Sequence, residues 1–234
     1  VYADATDPAA TGSAVAALQA LPQVALVHDL KGPLARLQPG AQPFELRVHR
    51  RYNPEGLTAY NVVPGLMGVI LTMTLVMMTA MAMTRERERG TLENLLATPV
   101  RPVEMMVGKI LPYVMVGYVQ VLIVFAAARW LFGVPMAGSF VLLSAMVLLF
   151  IVATLTIGFT FSTIARSQMQ SMQMTLFYFL PNILLSGFMF PFRGMPRWAQ
   201  WLGEVLPLTH FLRIVRAIML KGAGAGDLWP EVAA

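Results

Sequence analysis

The side chains that most often carry catalysis or bind metals are few in this chain and stand far apart. The three histidines, His28, His49 and His210, are isolated and lack the spacing of a metal site. There is no cysteine, which excludes disulfides, thiolate metal sites and cysteine nucleophiles. The sequence contains no glycine-rich phosphate loop of the Walker type, so it does not hydrolyse ATP by that route. We therefore predict no catalytic, cofactor-binding or metal-binding residue in this chain.

Ionisable residues are absent from four long runs of the sequence. The chain is 57% hydrophobic and 12% charged, whereas soluble domains carry roughly 25% charged residues. Proton-coupled transporters and intramembrane proteases need ionisable groups within their spans, so the charge-free runs argue against both functions. Sodium coupling through carbonyl and hydroxyl oxygens stays open. The remaining charges are too scattered for a nucleic-acid-binding surface.

The charge-free runs are long enough to cross a bilayer, whose core needs about 20 apolar residues in a helix. They predict a mainly α, polytopic membrane helical bundle, with spans at about 60–84, 108–132, 138–165 and 168–192. A polar loop, 85–108, separates the first two spans. The stretch 193–227 mixes tryptophans, apolar residues and basic residues, which favours helices in the membrane interface or a shallow re-entrant pair.

Residues 1–56 differ in composition from the rest and predict a water-facing α/β segment. Asp7 and Pro8 are typical of a helix start, as N-cap and first helical residue. Short strands are expected on either side of this helix. We place the domain boundary between this segment and a transmembrane domain, 57–234. Because Val1 is not a methionine, we expect the chain to be part of a longer subunit.

The polar loop 85–108 has a short amphipathic pattern. Leu92, Leu95 and Leu96 would lie on one side of a short helix. One interpretation is a solvated connector between spans. The other is a docking helix whose apolar side fits a cleft on a soluble partner.

Three stretches of the sequence resemble the ABC-2-type permeases of ATP-binding-cassette exporters, especially the bacterial multidrug-efflux branch. The first runs from Tyr52-Asn53-Pro54-Glu55 to Val63-Pro64-Gly65-Leu66. The second is Arg85-Glu86-Arg87-Glu88-Arg89-Gly90-Thr91-Leu92-Glu93, followed by Thr98-Pro99-Val100-Arg101-Pro102 and Gly108-Lys109. The third is Leu185-Ser186-Gly187-Phe188-Met189-Phe190-Pro191, then Met195-Pro196-Arg197-Trp198 and Pro207-Leu208-Thr209-His210-Phe211. Together they cover nearly all of residues 52–230.

The resemblance implies a subunit of six spans with a large extracytoplasmic domain between the first two. The first and sixth spans would then lie outside this chain. It implies that a cytoplasmic coupling helix docks on the ATPase through Glu86, Glu88, Gly90, Thr91, Leu92, Glu93, Leu95, Leu96, Thr98 and Pro99. It also implies an extracytoplasmic re-entrant region that includes Phe188, Phe190, Pro191, Met195, Pro196, Trp198, Pro207 and His210. Basic residues flank both ends of the spans, so this orientation comes from the resemblance.

The same resemblance implies the partners and the function. An ABC ATPase would bind ATP and Mg²⁺, and a second permease copy or a homologous permease would complete the transporter. Membrane lipids surround it, and a periplasmic adaptor is a further candidate partner. The expected function is multi-pass inner-membrane export of a hydrophobic or amphiphilic substrate, drug-like or lipid-like. The alternatives are a lipid or polysaccharide exporter, a non-transporting scaffold or sensor, and, least favoured by the missing catalytic groups, a membrane enzyme.

Overall fold

The computed structural model describes residues 2–4, 8–24, 48–53, 55, 57–90 and 102–233. The chain divides into two compact units, Val1–Asn61 and Val62–Ala234. Strands account for only a few of the described residues, and helices dominate both units.

The first unit contains one helix and a pair of short parallel strands. Strand β1, Tyr2–Asp4, pairs with β2, His49–Arg51, with Tyr2 opposite His49. Helix α1, Pro8–Val24, lies between them in the sequence and starts at the predicted proline. Parallel strands need a crossover connection, and α1 lies within it. Beyond β2, the buried Asn53 side chain bonds both the amide and the carbonyl of Leu57, at 2.9 Å each, just before the next helix.

Four long helices form most of the second unit. They are α2, Thr58–Glu88, which begins in the first unit; α3, Pro102–Trp130; α4, Phe140–Ile164; and α5, Gln168–Leu185. Shorter elements follow α5: a 3₁₀ turn, Phe192–Gly194; α6, Arg197–Glu204; and α7, Pro207–Arg216. Helix α7 continues as a π-helical turn, Ala217–Lys221, and the last helix is α8, Ala225–Ala233.

Three helices of the described residues are long and apolar enough to cross a membrane. They are Thr58–Glu88, Val107–Trp130 and Phe140–Ile164. Long runs of the sequence also contain no charged residue. Together with these helices, they identify a helical membrane protein, which is the predicted fold class.

Helix α5 differs from the span expected at 168–192. It has 18 residues and ends at Leu185, so its length is roughly 27 Å. Gly187 follows with a φ of +82°, a left-handed conformation that turns the chain out of the helix. The uncharged run continues beyond that turn as loop and 3₁₀ helix. The helix also carries uncharged polar residues, which lower its apolar character: Gln168, Gln170, Gln173 and Asn182.

Helix α2 is the most buried of the three spanning helices. About 50% of the most apolar 18-residue stretch of α2 is buried, compared with 33% of the corresponding stretch of α4 and 11% of that of α3. Gly158 of α4 packs directly on α2, because a Cβ there would lie 2.9 Å from the Val76 carbonyl oxygen. Gly68 of α2 likewise makes room for Leu208 and Phe211 of α7. Small residues permit this close approach, which is how membrane helices gain van der Waals contact.

Helix α3 is the least buried of the three spanning helices, and its outer face is apolar and exposed. Leu111, Met115, Val119 and Ile123 recur every four residues and are each more than half exposed. A stripe of this kind suits contact with lipid chains, because the bilayer core is the solvent in which such side chains are stable.

Candidate functional site

Three successive residues at the end of α2 contact three different helices. We call Glu86, Arg87 and Glu88, with the groups they bind, the α2 base. Successive helical residues point about 100° apart around the axis, so one turn of α2 reaches several neighbours at once. The α2 base lies at the start of the predicted docking residues, 86–99, of which those after Gly90 are outside the described part of the chain.

Glu86 joins α2 to α3 by an ion pair with Lys109. The Lys109 side chain is 17% exposed and that of Glu86 is 33% exposed, so the pair is partly shielded from water. Lys109 lies in the first third of α3, next to the start of its apolar span. The pair therefore ties together the two helix ends that flank the predicted docking loop.

Arg87 joins α2 to the end of α4. Its Nη1 donates to the Thr163 carbonyl oxygen at 3.2 Å. Thr163 lies in the last turn of α4, where carbonyl groups have no partner within the helix. A cation at this end also interacts favourably with the helix dipole.

Glu88 joins α2 to the start of α5. One carboxylate oxygen accepts from the Gln168 backbone amide at 2.9 Å, and the other accepts from the Gln168 side-chain Nε2 at 2.5 Å. Gln168 is the first residue of α5, whose amide needs a partner outside the helix. A carboxylate at this position also complements the positive end of the helix dipole.

A buried hydrogen bond lies one helical turn above the α2 base. The hydroxyls of Thr84 and Ser171 are 2.7 Å apart, and both residues are buried. Thr84 and Glu88 of α2 therefore contact Ser171 and Gln168 of α5 at successive levels. This two-level attachment fixes α5 against α2 at the same end where Arg87 holds α4.

The predicted docking residues are only partly described. Glu86, Glu88 and Gly90 lie in the described part, and Gly90 ends α2 with a φ of +68°, as expected of a C-cap glycine. The other seven lie outside the described residues: Thr91, Leu92, Glu93, Leu95, Leu96, Thr98 and Pro99. The docking role of the whole set stays a prediction.

The residues predicted for the re-entrant region gather at the opposite end of the second unit. The ring of Phe188 lies against Gly65 of α2, and Pro207 is the first residue of α7. Phe211, next to His210, stacks on Phe150 of α4 with ring centroids 4.0 Å apart. Phe190 and Trp198 are instead more than half exposed. Pro191, Met195 and Pro196 form the ends of the 3₁₀ turn and the start of α6.

All four tryptophans of the chain are at this end and are exposed. Their exposed fractions are 85% for Trp130, 64% for Trp198, 77% for Trp201 and 70% for Trp229. The α3–α4 connection belongs to this end too, because the Ala137 amide donates to the Met219 carbonyl at 2.9 Å. Tryptophans concentrate where a membrane protein meets the headgroup layer, so this end has the composition of a membrane interface.

A polar cluster joins α6, α7 and α8 at this end. Arg213 of α7 donates to both oxygens of Glu204, at 2.6 and 3.0 Å, and to Glu231 of α8 at 3.2 Å. The Arg213 bond lowers the pKa of Glu204, although burial acts in the opposite direction. Burial opposes the charge of Arg213, but Glu204 and Glu231 together raise its pKa. The guanidinium also lies 4.6 Å from the centre of the Phe192 ring.

The sequence did not reveal most of these contacts. Lys109, Gln168, Glu204, Arg213 and Glu231 were not among the predicted site residues. One signal was present for Lys109: opposite charges at the facing ends of consecutive helices, Glu86 and Lys109, are placed to pair when a loop connects them. Among the described residues, no group of three or more His, Asp or Glu side chains is placed to hold a metal ion.

Comparisons with a family model and with individual known proteins indicate the same family. The model of the ABC-2 type transporter family matches residues 41–220. This chain belongs to the ABC-2 type transporter family. The match includes the α2 base, the helices it joins and the residues predicted for the re-entrant region, so the resemblance predicted from the three motifs is confirmed.

Named relatives come from bacteria and from a eukaryote. The chain is 32% identical over 204 residues to the "Probable multidrug ABC transporter permease YbhR" of Escherichia coli (strain K12), covering 87% of this chain and 55% of that protein. It is 35% identical over 202 residues to the "Inner membrane transport permease YhhJ" of the same strain, covering 85% and 54%. It is also 27% identical over 172 residues to the "ABC transporter G family member 20" of Dictyostelium discoideum, covering 74% and 24%.

The chain spans about half the length of the bacterial relatives it matches. No solved structure matches it.

Proposed function

We propose that the chain is the membrane-spanning part of an ABC exporter permease, which moves a hydrophobic or amphiphilic substrate while a separate subunit hydrolyses ATP. Family membership and the multidrug name of the bacterial relative YbhR support this function. The observation that carries it is the α2 base. Glu86, Arg87 and Glu88 attach α3, α4 and α5 to the last turn of α2, at the start of the predicted docking residues.

The geometry suggests how movement at the docking helix reaches the spans. A displacement of the predicted docking residues would pull on the end of α2 and on the start of α3 together, because the loop 85–108 connects these two helices. The α2 base passes the same displacement to the α4–α5 connection, because Arg87 and Glu88 bind the two helix ends on either side of it. The charge-free spans then move as rigid bodies, since packed helices shift rather than deform.

The remaining roles belong to the same proposal. Two copies, or this permease and a homologue, would enclose the export path in the inner membrane, and the apolar face of α3 would contact lipid. ATP and Mg²⁺ would be bound by the ATPase subunit alone. The permease itself would carry no catalytic group.

The test is a single charged substitution in the predicted docking helix. Leu95→Asp should abolish co-purification of the ATPase with the permease, because a carboxylate cannot enter an apolar cleft without a large desolvation cost. Leu131→Asp is the matched control, since Leu131 is 78% exposed at the opposite end of the second unit. It should leave ATPase binding intact.

Intact co-purification with Leu95→Asp would exclude the docking role. A complex that binds ATPase normally but shows no substrate-stimulated ATP hydrolysis in liposomes would instead favour the scaffold alternative.

A further inference from the structure

Helix α6 packs on its neighbours through two small residues. Ala199 and Gly203 are its buried residues. A Cβ at Gly203 would lie 2.6 Å from the Leu185 carbonyl oxygen, so no larger side chain fits there. The Gly203 carbonyl oxygen also accepts from the Thr209 hydroxyl at 2.6 Å. These contacts fix which side of α6 points away from the protein.

The side of α6 that points away is apolar. Successive helical residues lie 100° apart, so positions 198, 201, 202 and 205 share an arc of about 100°. These four side chains are each more than half exposed, and we call them the α6 face: Trp198, Trp201, Leu202 and Val205. Val205 follows the last residue of α6 and keeps a helical backbone. An exposed apolar patch with polar groups at its rim marks contact with a membrane or with another protein.

Two arginines border the α6 face. Arg197 is the first residue of α6, and Trp201 lies one turn further along on the same side. Arg193 precedes Arg197 by four residues and belongs to the 3₁₀ turn. Both arginine side chains are exposed. Among the described residues, neither guanidinium has a hydrogen bond or an ion pair.

The acids of this segment do not offset the two arginines. No aspartate or glutamate stands between Arg193 and Glu204 in the sequence. Glu204 accepts from Arg213 at 2.6 and 3.0 Å, so its charge is compensated by another residue of the protein. The exposed side of α6 therefore combines an apolar face with two uncompensated positive charges.

This combination fits a lipid surface better than a second copy of the chain. An amphipathic helix with aromatic and basic residues lies in the plane of the membrane interface, and anionic lipids attract it. Tryptophan prefers the headgroup level, and guanidinium groups form charge-assisted hydrogen bonds with phosphate oxygens. A two-fold contact centred on the α6 face would instead bring the same arginines of both copies together.

We propose that α6 and the 3₁₀ turn before it form a binding site for anionic phospholipid headgroups. Trp198 and Trp201 enter the boundary between headgroups and acyl chains, while Arg193 and Arg197 bind the headgroup. Each basic residue near an anionic surface favours that surface roughly fivefold. The site does not depend on the proposed transport function, because only the membrane and side chains of this chain take part.

The test uses Trp201 as a reporter of the lipid beside it. The chain has four tryptophans, so the variant Trp130→Phe, Trp198→Phe, Trp229→Phe leaves Trp201 as the single indole. This single-tryptophan protein is reconstituted in equimolar vesicles of phosphatidylglycerol and phosphatidylcholine. Only one of the two lipids carries brominated acyl chains, which quench the fluorescence of a nearby tryptophan. We expect brominated phosphatidylglycerol to occupy the site at least about fivefold more readily than brominated phosphatidylcholine.

Two further variants separate the arginines from the net charge of the chain. Adding Arg193→Gln and Arg197→Gln should bring the lipid preference close to one, while both lipids still quench Trp201 because the α6 face is kept. Adding Arg89→Gln and Arg129→Gln is the matched control. It removes two exposed arginines from other helix ends and should leave the preference unchanged.

Three results would overturn the proposal. If neither brominated lipid quenches Trp201, protein covers the α6 face instead of lipid. If both lipids quench it equally in the single-tryptophan protein, the face meets the membrane without selecting a headgroup. If the preference persists after both Arg193 and Arg197 are replaced, these arginines do not bind the headgroup.

Discussion

At the level of single residues, the ion pair of Glu86 and Lys109 is the simplest contact to remove. Its removal tests whether the α2 base transmits movement from the ATPase to the spans. Each single charge reversal, Glu86→Lys or Lys109→Glu, places like charges together at the α2 base. We expect either to reduce ATP-driven transport strongly, and the double reversal to restore much of it. The free energy of unfolding should change by only about 1 kcal/mol or less, because the pair is partly exposed.

A double-mutant cycle on transport rate, with thermal unfolding as the control, measures this coupling. Equal transport in all four proteins would show that the ion pair plays no part in transmission.

Glu204 gives a prediction about acid. The Arg213 bond lowers the pKa of Glu204 in the folded protein, so the bond stabilises the fold at pH values above the ordinary glutamate pKa. That stabilisation is lost as pH falls through the lowered folded-state pKa, which lies below the usual value of about 4.3. Glu204→Gln removes the titrating group but keeps the shape of the side chain.

The melting temperature of the parent should therefore exceed that of Glu204→Gln at neutral pH, and the two should converge in acid. The difference stays small, because the Glu204 side chain is 44% exposed and solvent screens its charge. A difference that is constant with pH would contradict the assignment.

At the level of whole elements, the packing of α4 on α2 depends on the absence of a side chain at Gly158. Gly158→Ala puts a Cβ 2.9 Å from both the Val76 carbonyl oxygen and the Thr79 Cβ. The two helices must separate, so we expect destabilisation of about 1–3 kcal/mol. Gly108→Ala in α3 is the control, because no atom of the described residues lies within 4 Å of its Cβ position.

Chemical denaturation in mixed micelles compares the two variants. Gly108→Ala should be neutral or slightly stabilising, since alanine has the higher helix propensity. If Gly158→Ala were equally neutral, α4 would not pack on α2 as described.

The existence of the long helices was predictable, because charged residues are excluded from the hydrocarbon core and each span is therefore a long run without charge. Helix α5 shows that a charge-free run does not by itself give the length of the helix. The run from Ser167 to Phe192 is uncharged throughout, yet the helix ends at Leu185 because Gly187 turns the chain. An uncharged loop packed within a protein looks like a continuing span when only charge is considered.

The contacts of the α2 base were less predictable than the helices. Charge type alone indicates that Glu88 prefers a positive group or a helix N-terminus. It does not indicate that Gln168 of α5 supplies that terminus, since this depends on the rotation of α2 about its axis and on the packing of its buried face. The polar cluster of Arg213 and Glu231 required the fold for the same reason: α7 and α8 bring them together across a π-helical turn.

At the level of the whole molecule, the two ends of the second unit have different chemistry. One end has charged side chains that attach α2 to three neighbouring helices. The other has exposed tryptophans around a polar cluster that joins the short helices. This asymmetry fits a permease that receives movement at the α2 base and meets the membrane interface at its opposite end.

The central claim is that the α2 base transmits ATPase movement to the spans. The most direct measurement is the amount of substrate transported per ATP hydrolysed in liposomes that contain the permease and its ATPase. The comparison is between the parent and the triple variant Glu86→Gln, Arg87→Gln, Glu88→Gln, with co-purification of the ATPase checked for both. We predict that the triple variant binds the ATPase and hydrolyses ATP but transports at least about tenfold less per ATP, a coupling loss of about 1.4 kcal/mol. An unchanged ratio of transport to hydrolysis would contradict the claim.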